Sequence, residues 1–166
     1  MTELTITRPG VLPQQRTLPG PTEDSLADLL RQAAWRYRAD HDWHTEIIGN
    51  QLMLSLGRDL LGVCMSAGRA GEINHQLRLY RLTYPVLPLP GPRPRWVFLA
   101  SDSGRAHRTG TPYFVALLDL NQRIPLPPSG TSSGPLRWIV PPERCADGIP
   151  GLDPILAVIR TVAAHL

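Results

Sequence analysis

The sequence predicts an α+β fold: a single domain, a mostly antiparallel sheet with helices packed on one side of it. Three observations predict it. Apolar residues recur at helical spacing in three separate segments. Between those segments lie short apolar runs bounded by Gly, Pro and Asn, which read as strands and turns. The order is therefore helix, strands, helix, strands, helix, which suits helices laid on a sheet. At 166 residues and 42% hydrophobic content the chain can bury one real core, and no internal repeat divides it.

Residues 1–22 are polar and carry Pro9, Pro13, Pro19 and Pro21, so they read as a flexible arm ahead of a domain over 23–166. Glu23, Asp24 and Ser25 favour a helix start, because acidic and hydroxyl groups complement the positive helix end. Leu26, Leu30, Ala33, Ala34 and Tyr37 then predict a helix over 25–39. A strand follows over 43–48, then a Gly49-Asn50 turn, then paired strands over 51–56 and 60–66. Ile73 and Leu77 predict a second helix over 70–82. The five prolines within 84–94 predict a rigid, partly polyproline-like connector. Strands are expected over 95–101, 113–120, 124–126 and 137–140, with a polar loop over 103–111. The last helix spans 153–166, with Pro154 in its first turn and Ile155, Leu156, Ile159 and Val162 as its buried stripe.

The net charge is +3, and all 17 basic residues are Arg. So small a charge spread over a domain surface steers polyanions only weakly. Cys64 and Cys145 have no zinc-ligand spacing, no run approaches the ~20 apolar residues of a membrane span, and nothing resembles a secretory signal. The expectation is a soluble cytoplasmic protein with free thiols, no membrane partner and no cofactor. His41, His44 and His75 lack a placed third partner for a metal. Asp102, Ser103 and His107 lack the turn that presents a nucleophile. Trp35 and Trp43 read as core residues, and Cys64 as an inert buried thiol.

The segment Pro127-Pro128-Ser129-Gly130-Thr131-Ser132-Ser133-Gly134, ending in Trp138, reads as strand, stiff turn, strand. It resembles a motif of bifunctional primase-polymerase domains of the archaeo-eukaryotic primase type, in which a His stands where this chain has Thr131. Ala33-Ala34-Trp35-Arg36-Tyr37 followed by Trp43 is similar to the opening of that family. The run over 60–66, with Gly71, resembles its metal-binding strand, and Arg95-Trp96-Val97-Phe98 the strand that carries its active-site His. The short actinobacterial members without catalytic residues look closest.

The resemblance implies a primase-polymerase-like fold whose reaction has been lost. Nucleotide transfer needs divalent ions held by carboxylates. Cys64 and Ser66 stand at the two aspartate positions, Arg95 at the His position, and Asp119 is the one candidate for a third carboxylate. Arg93, Arg95, Arg105, Arg108 and Arg137, with Ser129, are the candidate contacts to nucleic acid or phosphate, since Arg forks bind phosphate bidentately. The resemblance gathers Arg95 and Arg137 on neighbouring strands. Trp96 and Trp138 are the candidates for base stacking. The functional expectation is a non-enzymatic module that binds DNA, RNA or a nucleotide in a regulatory or accessory role. The alternative is a homodimer or protein-partner module that uses the former active face.

Overall fold

Two apolar cores share the chain between them. The computed structural model describes residues 23–57, 59–102 and 110–164. The arm over 1–22, Arg105, Arg108, Ser103 and His107 therefore lie outside the described residues.

The elements follow the order α1 (Glu23–His41), β1 (Thr45–Ile48), β2 (Gln51–Ser55), β3 (Leu60–Ser66), α2 (Ala67–Leu79), β4 (Val86–Leu89), β5 (Arg95–Ser101), β6 (Ala116–Leu118), β7 (Arg123–Leu126), β8 (Gly130–Thr131), β9 (Gly134–Pro135) and α3 (Leu152–Ala163). Every ladder between these strands is antiparallel. One sheet has the order β4-β5-β3-β6, a second β1-β2-β7, and β8-β9 is a small hairpin. The α+β class therefore holds, but the single expected sheet is two, and the helices are divided between two cores rather than gathered over one.

The alternation of side chains along a strand explains the division. Leu61, Val63 and Met65 of β3, with Phe98 and Ala100 of β5, face α2 and α3 in the first core. Their neighbours Cys64, Val97 and Leu99 face the second, where they meet Leu52, Leu54, Ile124 and Leu126 of the three-stranded sheet. A strand buried on both faces reads as a continuous apolar run, so its sequence does not announce which side a helix covers. Leu30 and Tyr37 bring α1 into the second core.

Several elements differ from expectation for local reasons. α2 starts at Ala67, ahead of the expected position, because Gly68 and Gly71 weaken the helical signal there. It ends before Arg81, which turns the chain at φ 58°. The proline-rich connector contains β4. Pro88 is accommodated because β4 lies at the end of its sheet and pairs with β5 alone among the strands. The expected strand over 137–140 is reduced to one bridge, Val140 to Val86. Trp35 is 70% exposed, not part of the core. It lies two positions from buried Tyr37, and residues two apart occupy different faces of a helix. Trp43 is buried as expected, because Asp42 at φ 54° turns the chain so that the indole stacks on Tyr37 with ring centroids 5.5 Å apart. No described helix is long and apolar enough to cross a membrane.

Candidate functional site

The register of β3 against β5 builds the site. Cys64 pairs with Val97 and Ser66 with Arg95, so Cys64, Ser66 and Arg95 project from one face at one end of the four-stranded sheet. There the two sheets separate into an open cleft of about 350 Å³, with Cys64 on its floor and Leu89, Arg95, Leu118, Arg123 and Pro125 among its walls. Cys64 is only 2% exposed. Burial pushes its thiol above the ordinary value of 9.0, and the positive charge of Arg95 opposes that shift. Cys145 is also a free thiol.

α2 begins directly after Ser66, whose side chain makes no capping hydrogen bond, and no acidic residue occupies the first turn. The Ala67 N–H donates to the Pro94 carbonyl at 2.9 Å, which ties this turn to the start of β5. Arg69, in the first turn, lies 4.4 Å from the Phe114 ring centroid. Arg93 and Arg95 are exposed. The positive end of the helix dipole and the exposed Arg93 and Arg95 bring positive charge to this end of the sheet, while Arg69 lies on the first-core side with Phe114. Arg123 adds less, since its guanidinium is 2.8 Å from Glu46 in a half-exposed ion pair. Arg69 and the bare helix start were missed by sequence reasoning. Their signal is the run Ser66-Ala67-Gly68, small residues without a carboxylate following directly on a buried strand.

The structure separates the remaining candidates from this face. Trp96 projects from the opposite side of β5 and packs against the first core. Arg137 is exposed, but β4 intervenes, so it is not on a strand neighbouring Arg95. Its segment meets Val86 at one end of β4, while Arg95 pairs with Leu89 at the other. Trp138 is half-buried. Its Nε1–H donates to the Tyr37 hydroxyl at 2.8 Å, and that hydroxyl donates to the Pro127 carbonyl at 3.1 Å. Burial pushes the Tyr37 phenol up.

Ser129 is fully buried. Its Oγ accepts the Leu52 N–H at 2.8 Å and donates to the Leu52 carbonyl at 3.3 Å, as a strand residue's peptide group would. Thr131 lies beside the β1–β2 turn, where Gly130 N–H donates to the Asn50 carbonyl. Its Oγ1 donates to the Gly134 carbonyl at 2.6 Å within the β8–β9 hairpin. The cleft lies toward the other end of β2, where Ser55 faces Arg123.

Asp119 sits half-buried in the β6–β7 turn, its N–H donating to Gln122 Oε1. Asp59 and Asp102 meet through the Asp102 N–H and the Asp59 carbonyl at the end of β3 and β5 away from Arg95. Among the described residues no group of three or more His, Cys, Asp or Glu is placed to hold a metal ion. His41 closes on the ring of Trp43 at 4.8 Å. No protein-family model, curated protein or solved structure matches the chain.

Proposed function

We propose that the protein is a non-catalytic binding module for phosphate-bearing ligands, single-stranded nucleic acid or a nucleotide, on a primase-polymerase-type scaffold that has exchanged its metal-binding carboxylates for neutral groups. The register that sets Arg95 beside Ser66 at the bare start of α2 carries this reading. An Arg fork, a hydroxyl and the positive end of the helix dipole suit phosphate oxygens, which accept several hydrogen bonds and bring negative charge. A buried thiol and a hydroxyl at Cys64 and Ser66 do not suit a hard divalent cation. The role that fits such a module is accessory or regulatory.

Fluorescence anisotropy of a labelled oligothymidylate, with a labelled nucleotide in parallel, tests the reading. Binding at low salt is expected to weaken steeply as salt rises. Arg95→Ala is expected to weaken it about tenfold or more, the ~1.4 kcal/mol of one charge-assisted contact. Arg137→Ala, across β4, should leave it nearly unchanged. Absence of binding to DNA, RNA and nucleotides at low salt would overturn the proposal.

A further inference from the structure

We infer that the outward face of α1 is a homodimer interface, in which two copies of the helix pack antiparallel about a two-fold axis. The inference stands apart from the proposed ligand site and uses a different face from the cleft.

Asp28, Arg31, Trp35 and Arg38 follow one another at spacings of three, four and three along α1, and all four are exposed. That alternation averages 3.5 residues, the repeat that keeps one seam of a helix facing a partner helix. The row lies apart from Leu30 and Tyr37, which hold α1 to the second core. At its centre Trp35 leaves 70% of its surface in water. Half-buried Ala27 and Ala34 flank the row and leave room for a second helix to approach.

A second copy fits because the row is complementary to its own reverse. When the helices run antiparallel with Asp28 opposite Arg38 of the second copy, Arg31 falls opposite Trp35 of that copy. The two-fold axis then repeats both pairings. Each acid meets a base, and each free indole face receives a guanidinium, a favourable cation–π arrangement. In the single chain Asp28 already pairs with Arg31. A pair so exposed contributes little and is readily rearranged. A nucleic acid strand could also stack on Trp35 between Arg31 and Arg38, but Asp28 would set a negative charge against its phosphates. One aromatic anchor per copy and a single helix–helix seam imply an interface below the ~800 Å² per partner of tight complexes, so the dimer is weak and concentration-dependent.

Sedimentation velocity over a concentration series tests this, with circular dichroism confirming that each variant is folded. The wild-type chain is expected to move from 18.4 kDa toward twice that mass as concentration rises. Trp35→Ala, Asp28→Arg and Arg38→Asp should each remain monomeric, because the single charge reversals set like charges face to face. The double variant Asp28→Arg with Arg38→Asp should recover the dimer, a rescue that a merely structural role for either residue would not produce. A wild-type chain that stays monomeric at the highest concentrations would overturn the inference. So would a Trp35→Ala variant that dimerises as well as wild type, or a double variant that fails to recover. A monomeric wild type that loses oligothymidylate binding on Trp35→Ala would assign the row to nucleic acid instead.

Discussion

Replacing Ser129 by Ala removes one oxygen and leaves two backbone groups of Leu52 without their side-chain partner. The site is fully buried, so water cannot take the place of the hydroxyl. The N–H loses a bond of 2.8 Å and the carbonyl a longer one of 3.3 Å. A buried unsatisfied backbone group costs about 1–3 kcal/mol, and the longer bond belongs at the lower end of any such range. The expected loss is therefore about 2–3 kcal/mol, or roughly 5–10 °C in Tm for a domain of this size. Urea unfolding followed by tryptophan fluorescence reads it, with the denaturant slope unchanged. Ligand affinity at the Arg95 face should not change, since Ser129 lies beyond β7 and its hydroxyl is occupied. A stability loss below about 0.5 kcal/mol, the ordinary scatter of surface substitutions, would refute the reasoning. So would a large affinity loss in a variant of normal stability.

Three further outcomes follow from local geometry. Gly57 has φ 114°, and a Cβ there would lie 2.8 Å from Leu120 Cδ2 and 3.0 Å from its Cα, so Gly57→Ala should cost about 2–4 kcal/mol of stability in the same urea assay; an unchanged midpoint would contradict it. Burial pushes the Tyr84 phenol far above its ordinary 10.0 while its hydroxyl donates to the Gly151 carbonyl. Its contribution to stability is therefore complete below about pH 10 and is lost as pH rises toward the folded-state pKa. Tyr84→Phe should flatten the alkaline fall of the urea midpoint, and a slope equal to wild type would count against the assignment. Arg95 holds the Cys64 thiol lower than burial alone would. In a Cys145→Ser background, Arg95→Ala should therefore slow alkylation of Cys64 at neutral pH, whereas faster labelling would mean that Arg95 acts chiefly as a lid.

Much of the fold is legible where one residue fixes a turn or one stripe fixes a helix. Gly49-Asn50 marks the turn between β1 and β2, and Gly49 has φ 59° there. The expected pairing of 51–56 with 60–66, however, does not form, since β2 pairs with β1 and β7 while β3 lies in the other sheet. Ile155, Leu156 and Ile159 marked α3, and all three are buried. What was not legible depends on partners distant in sequence. Pro88 belongs to a strand only because β4 stands at a sheet edge beside β5. Trp35 is apolar and helical, yet its angle to Tyr37 rather than its hydropathy decides that it faces water. The candidate site divides in the same way. Cys64, Ser66 and Arg95 come together because β3 and β5 are long, regular and in register. Ser129, Thr131 and Trp138 do not join them, because short hydroxyls beside a turn serve the backbone first and Trp138 is held by Tyr37.

The central claim is that phosphate-bearing ligands bind where Arg95 meets Ser66 and the start of α2. Titration of the ¹⁵N-labelled protein with oligothymidylate at low salt tests it most directly, residue by residue. The account predicts that the backbone amides of Ser66, Ala67, Gly68 and Arg69 and the Nε–H of Arg95 shift together and saturably, while Ser129, Thr131 and Arg137 stay in place. Saturable shifts confined to the Thr131 hairpin or to Arg137, or no shifts at all, would contradict it.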